Sequence, residues 1–216
     1  MRVLVLNGWA ASERAWSLCS FKRERVFSYS EELDGVASRA LEKGDGKAVL
    51  VGWSMGGSYA LKLATQFPEK IGALVLVAAT PRMMEEKSSG WKGMSERRLK
   101  AFEFAAKTMG GEGLFGPPPG KPNPYELDSD ENLARGLKYL EETDVRNEVA
   151  AFASSHPSLP VAIFQSERDG IVRSSNAEWL KSVFPQASLE MVAGGEHALP
   201  IMIPEAIDRA VETLFS

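Results

Sequence analysis

The chain has 216 residues, 44% of them apolar and 25% charged, with a formal net charge of −4. That composition suits a globular protein of one domain, or of one domain carrying a large insertion, with chain enough to bury a full core. The acidic balance gives no reason to expect a nucleic-acid partner, and the lone cysteine, Cys19, excludes an intrachain disulfide and fits a reducing compartment. No apolar run is long enough to cross a membrane as a helix, and the stretch behind Met1 is too short for a signal peptide. The expected location is therefore the cytoplasm, with no membrane partner.

Val3–Leu6 is a short apolar run ending in Asn7-Gly8 and reads as a buried strand followed by a loop. Arg25–Tyr29 reads as a second strand. From Ser30 to Lys43, Leu33, Val36, Ala37, Ala40 and Leu41 fall on one helical face, and Gly44 ends that helix. Ala48–Val51 is a strand that runs into Gly-Trp-Ser-Met-Gly. Ser54–Phe67 is helical and is stopped by Pro68, and Ala73–Ala78 is a further strand.

After Pro81 the alternation breaks. Residues 82–155 hold no convincing strand; helical spacing shows at Leu99, Phe102, Ala106 and Met109, and again at Leu133, Leu137 and Leu140. The glycine- and proline-rich stretch 111–124 between them reads as an irregular connection. The rhythm then returns with Val161–Gln165 as strand, Ser174–Phe184 as helix, Leu189–Val192 as strand and Pro204–Phe215 as helix, proline being suited to a first helical turn. Apolar strands alternating with helices predict an α/β fold with a mostly parallel sheet covered on both faces. Residues 1–81 and 156–216 form the core in this reading, and 82–155 a helical cap insertion.

The chemistry is concentrated at Gly52-Trp53-Ser54-Met55-Gly56. A strand entering and a helix leaving a G-x-S-x-G stretch make a sharp turn that presents the serine. A serine hydroxyl needs a base, a group that orients the base, and donors for the developing oxyanion. The only histidines are His156 and His197. Active sites of open α/β sheets lie at the carboxyl ends of strands. His197 follows such an end, whereas His156 precedes the start of a strand, so His197 is the candidate base. The acid should follow the strand at 161–165, where Glu167 and Asp169 both stand; Asp169, before Gly170, is the first choice and Glu167 the alternative. The expected oxyanion donors are the backbone N–H groups of Met55 and Trp9. Trp9 and Trp53 either wall the acyl pocket or simply pack. No cofactor and no metal is called for.

These pieces together resemble the α/β-hydrolase superfamily and, within it, the pimeloyl-acyl-carrier-protein methyl ester esterases of biotin synthesis. The matching segments are Asn7-Gly8-Trp9-Ala10 with Trp16, the run Gly52–Gly57, Thr80-Pro81-Arg82, Glu142-Thr143-Asp144-Val145-Arg146, Ser166–Val172 and Gly194–Pro200. They run nearly end to end, with the cap least alike. Two departures stand out. Asn7 occupies a position at which the family usually has histidine, and the chain begins at what is normally the third strand, so the expected sheet has six parallel strands in the family order 4-3-5-6-7-8.

The resemblance implies a dicarboxylic acyl methyl ester carried on an acyl-carrier protein, an acidic partner. Arg97, Arg98, Lys100, Arg135 and Lys138 are then candidates for carrier docking, although carboxylates outnumber basic side chains across 81–155 and solvated helix faces explain the same residues. Trp53, Leu99, Phe102, Leu133 and Leu137 are candidate pocket residues, with cap packing as the simpler account of the last four. A general short-acyl carboxylesterase or thioesterase would use the same serine, histidine and aspartate. A non-catalytic binding protein of this fold would have no need of all three.

Overall fold

The computed structural model describes residues 1–28, 33–115, 120–126 and 129–215; the side chains of residues 33, 34, 106, 109–115 and 215 lie outside that description. The strands are β1 (Arg2–Leu6), β2 (Arg25–Phe27), β3 (Ala48–Trp53), β4 (Ile71–Val77), β5 (Val161–Ser166) and β6 (Ser188–Val192). They form one six-stranded sheet in the order β2-β1-β3-β4-β5-β6, and every neighbouring pair is parallel. This is the topology implied by the family order 4-3-5-6-7-8.

Side-chain alternation sorts the sheet's two faces by residue type. Leu4, Leu6, Leu50, Leu74, Leu76 and Ile163 point to one side, where they pack with Leu41 of α1 (Leu33–Lys43), Leu61 of α2 (Met55–Gln66), Phe152 of α5 (Arg146–Ser155) and Leu180 of α6 (Ser174–Val183). Val3, Val5, Val49, Val51, Val75 and Val77 point to the other, against Leu199 of α7 (Leu199–Met202) and Ile207 and Val211 of α8 (Pro204–Phe215). A sheet covered on both faces explains why its central strands read as unbroken apolar runs. On the valine side, the buried carboxylate of Asp208 in α8 accepts hydrogen bonds from the Ser20 backbone and hydroxyl and from the Phe21 N–H, fastening the loop that leads into β2.

Between β4 and β5 lie α3 (Glu96–Phe115), α4 (Asp130–Glu142) and α5. The sequence expectation that the chain is irregular from residue 111 is corrected: α3 continues to Phe115 through Gly110, Gly111 and Gly113, although each glycine costs a helix interior about 1 kcal/mol. The predicted strand beyond Phe27 and the predicted helix before Leu33 reach residues 29–32, outside the description. So do residues 116–119 of the glycine- and proline-rich stretch and the side chains of Ala106 and Met109. The periodicity did not pick out α5 as an element of its own; it packs against α2 and α6, and Val149 and Phe152 join the leucine-side core.

The start of the intervening segment is zipped to the stretch that leads into α5. Arg82 bridges backbone to backbone with Asp144, and the Val145 N–H donates to Pro81 O at 3.0 Å. Asp144 accepts from Arg82 Nη1 at 2.5 Å and from Arg146 Nη2 at 2.7 Å, while Arg146 also reaches Glu86 at 2.8 Å. Hydrogen bonding from Arg146, and then from Arg82, holds the Asp144 carboxyl at about 2, well below the usual aspartate range. These contacts give the Thr-Pro-Arg and Asp-Val-Arg segments a structural reason to occur together.

Candidate active site

β3 delivers the chain to Ser54, which sits at φ 56°, ψ −120°, and α2 begins at the next residue. A non-glycine residue in that region costs on the order of 1–3 kcal/mol, so its surroundings must enforce it. They do so by close approach. A Cβ on Gly52 would lie 2.5 Å from the Gly56 carbonyl oxygen, and one on Gly56 would lie 2.0 Å from the Leu6 carbonyl oxygen. The elbow is therefore pressed against β1 and closed on itself in a way that only glycine permits. The Ser54 N–H still joins the sheet, donating to Val77 O at 2.9 Å, while its carbonyl accepts from Gly57 and Ser58 and starts the helix.

The structure brings Ser54, His197 and Asp169 into one hydrogen-bonded line. His197 Nε2 is 2.9 Å from Ser54 Oγ, and His197 Nδ1 is 2.7 Å from Asp169 Oδ2. With Nδ1–H donating to the carboxylate, the Nε2 lone pair faces the serine hydroxyl, which is the tautomer a base requires. Asp169 is buried, and its Oδ1 accepts from the N–H groups of Ile171 at 2.7 Å and Val172 at 3.1 Å. Glu167, the alternative acid, has an exposed side chain. His156 follows α5, ahead of β5, with Nδ1 2.9 Å from Phe152 O and its ring stacked on Phe152.

The backbone that carries His197 is held from two sides. Trp53 Nε1 donates to the His197 carbonyl at 2.9 Å, and Ser166 Oγ donates to the Glu196 carbonyl. Trp53 thus fixes the base as well as lining the cavity.

Opposite the histidine, the loop after β1 runs against the elbow: a Cβ on Gly8 would lie 3.3 Å from Ser54 Cβ. Trp9 follows Gly8, and Met55 opens α2, where the first N–H groups have no acceptor within the helix. Asn7 is fully buried, and its Oδ1 accepts from Trp16 Nε1 at 2.6 Å, so this side chain anchors the loop from behind; its Nδ2 has no partner among the described residues. The Trp9 indole Nε1 donates to the Leu133 carbonyl of α4 at 2.9 Å, and its ring lies 5.0 Å from that of Phe102. A Cβ on Gly136 would lie only 2.5 Å from Trp9 Cδ1, so α4 rests directly on this tryptophan.

Above Ser54 is a nearly closed cavity of about 20 Å³, room for roughly one water molecule. Of the expected pocket residues, Trp53, Leu99, Phe102 and Leu137 line it; Leu133 does not, being buried in the core with its carbonyl on Trp9. Met83, Met94, Tyr125, Leu140 and Ile171 complete much of the wall. Leu140 shares the α4 period, but the others come from irregular backbone: Met83 and Met94 close a loop in which the Met94 N–H donates to Met83 O at 2.8 Å, and Tyr125 bridges back to Ala11. Burial, and after it the charges of Asp169 and Glu196, push the Tyr125 phenol upward, so it stays protonated.

The candidate docking cations are placed unequally. Arg97 and Lys100 are exposed on α3. Arg98 donates to the Gly170 carbonyl, joining α3 to the Asp169 turn. Arg135 pairs with Glu131 at 3.3 Å and Lys138 with Glu142 at 3.8 Å along α4. Among the described residues no group of three or more His, Cys, Asp or Glu is placed to hold a metal ion, and no helix is long and apolar enough to cross a membrane.

Comparison with known proteins agrees with the fold. The model of the Alpha/beta hydrolase family matches residues 8–211. Among curated proteins, the chain is 24% identical to a pimeloyl-[acyl-carrier protein] methyl ester esterase of Vibrio vulnificus, covering 94% of this chain and 90% of that one. It is 27% identical to the protein of the same name from Nitrosomonas europaea, covering 94% and 91%. Among solved structures, a hydrolase from Pseudomonas aeruginosa superposes with a TM-score of 0.73 at 18% identity, over 100% of this chain and 90% of the other. A thermophilic esterase from Thermogutta terrifontis superposes with a TM-score of 0.68 at 17% identity, over 100% and 89%. At such identities the structural likeness speaks for the fold.

Proposed function

The chain belongs to the alpha/beta hydrolase family, and from that premise we propose that it is a serine esterase whose substrate is the methyl ester of a pimeloyl group on an acyl-carrier protein. The observation that carries the hydrolytic reading is the unbroken line Asp169–His197–Ser54. Ser54 Oγ attacks the ester carbonyl as its proton passes to His197 Nε2, and Asp169 holds the resulting imidazolium. The N–H groups of Met55 and Trp9 receive the oxyanion. Collapse of the tetrahedral intermediate expels methoxide, which leaves as methanol with the proton from His197. Water, deprotonated by the same histidine, then releases the acid and regenerates the serine. The insertion 82–155 roofs the site and supplies most of the acyl contacts.

The substrate assignment is supported by the names of the relatives and by an acyl wall made of apolar side chains. Its test is hydrolysis of the carrier-bound methyl ester by the purified protein, followed by mass spectrometry, with Ser54→Ala as the control. Growth of a biotin-requiring cell that lacks its own methyl ester esterase is the complementary assay. Free esters cleaved while the carrier-bound ester is left intact would reject the carrier-protein substrate.

One observation favours the second reading, a general short-acyl carboxylesterase. Arg135 and Lys138 already have carboxylate neighbours on their own helix, which lowers the cationic field that an acidic carrier would meet. Carrier docking requires kcat/KM on the carrier-bound ester to fall with added salt, and to fall further on charge reversal at the exposed Arg97 with Lys100, while a free ester stays unaffected. Identical salt dependence for the two substrates favours the general esterase.

A further inference from the structure

Gln165 is an anomaly in β5. The strand is otherwise apolar from Val161 to Phe164, yet this side chain is fully buried and does not line the cavity. Its Nε2 lies 3.1 Å from the Val172 carbonyl, 3.3 Å from the Ser166 carbonyl and 3.3 Å from Asp169 Oδ2. All three neighbours are acceptors, so it is the amide nitrogen that must face them. The opposite end of the same amide, Oε1, is buried without a partner among the described residues. Burying an amide oxygen unpaired costs free energy. Packing alone would favour an apolar side chain here; what the amide contributes is its N–H donors.

We infer that Gln165 is a positioning residue for Asp169: its amide N–H and the His197 imidazole N–H meet at the same carboxylate oxygen, and together with the Ile171 and Val172 N–H groups on the other oxygen they fix the rotation of the carboxylate. A carboxylate has about four good acceptor positions, and these donors occupy them as two pairs. Without the Gln165 donor, Oδ2 is held by the histidine alone, the group it is meant to orient. Because Gln165 also binds the Val172 carbonyl, it ties the end of β5 to the turn that presents Asp169. The inference rests on reading Asp169–His197–Ser54 as the hydrolytic machinery and concerns how that machinery is held.

Two variants test it. Gln165→Met keeps the length and removes both the donor and the orphan oxygen; Gln165→Glu is isosteric and sets a carboxylate against Oδ2. With 4-nitrophenyl butyrate, kcat should fall by about tenfold in the first and about a hundredfold in the second, with KM within about twofold, since the contact acts on the transition state and not on the bound ester. The downfield proton resonance of His197 Nδ1–H, assigned by its loss in His197→Gln, should shift in Gln165→Met. A merely structural role would change the melting temperature and leave both readings alone. Wild-type kcat with an unmoved resonance in Gln165→Met overturns the inference; if the methionine variant fails to fold, wild-type kcat with an unmoved resonance in Gln165→Glu does so when both persist to alkaline pH, where the glutamate has lost its own O–H donor. If the unmodified protein neither cleaves the ester nor labels at Ser54 with a fluorophosphonate, the esterase reading fails, and the resonance still decides the role of Gln165.

Discussion

Replacing Asp169 by asparagine changes one atom, and the surroundings of both carboxylate oxygens determine the outcome. If the amide oxygen takes the Oδ2 position, its NH₂ faces the N–H groups of Ile171 and Val172, now at 2.7 and 3.1 Å. Two buried backbone donors then lose their acceptor, at about 1–3 kcal/mol each. If the amide is turned over, its NH₂ faces His197 Nδ1, now 2.7 Å from Oδ2. That second arrangement is the cheaper one, because the imidazole can answer by moving its own proton to Nε2 and the Gln165 amide, which loses Oδ2, keeps the Ser166 and Val172 carbonyls. The histidine then presents N–H to Ser54 and can no longer accept the serine proton. The expected result is a fall in kcat of about 10³–10⁴, or roughly 4–5.5 kcal/mol, in a protein that still folds. Ester hydrolysis measured beside a thermal melt gives both numbers. A variant within tenfold of wild type, or a larger loss in Glu167→Gln, would refute the assignment of the acid.

His197→Ala should lose several orders of magnitude in kcat while His156→Ala keeps wild-type activity, since the latter ring only stacks at the end of α5; activity of the pair in the reverse order would mean that the wrong histidine was chosen. Gly56→Ala should destabilise the fold by about 3 kcal/mol or more in urea titration, because the new Cβ would sit 2.0 Å from a β1 carbonyl that cannot retreat; a loss under about 1 kcal/mol would show that the elbow can relax. The Asp144 carboxyl, at about 2 against an ordinary 3.8, is depressed on folding, so its contribution is complete above pH 4 and disappears as pH falls toward 2. Discounted for partial exposure, that contribution is about 1–2 kcal/mol. The stability gap between wild type and Asp144→Asn should narrow by this amount across that interval, and a gap independent of pH would speak against the ion network.

How much of this was legible in the sequence depends on whether a residue belongs to a periodic element. The leucine and valine strands and the elbow were readable because both a buried parallel sheet and a G-x-S-x-G turn impose simple patterns. His197 over His156 followed from which end of a strand each adjoins. Asp169 over Glu167 had a clearer physical signal than position: an Asp side chain is short enough to accept from its own i+2 and i+3 N–H groups, as Asp169 does, and a Gly follows it. Met83, Met94, Tyr125 and Ile171 were unreadable because they reach the cavity from loops, where spacing carries no direction. For Leu133 spacing left pocket lining and cap packing both open, and it packs. It shares a helical face with Leu137, but its place along α4 puts it beyond the cavity, under Trp9. Gln165 was hidden within a run that reads as strand, since its importance lies in a partner four residues on.

The cavity over Ser54 holds about one water, whereas the ester proposed as substrate is many times larger. For an ester of that size to reach Ser54 the groups over it must shift, and where only a fraction of molecules is open at rest, binding draws on that fraction. Apparent affinity then equals intrinsic affinity scaled by that fraction; if one molecule in about a hundred is open, KM rises by about a hundredfold without any change at the serine. The Trp9–Leu133 and Arg98–Gly170 hydrogen bonds act as weights on that balance. Loosening either one would then lower KM and suit the enzyme to dilute ester.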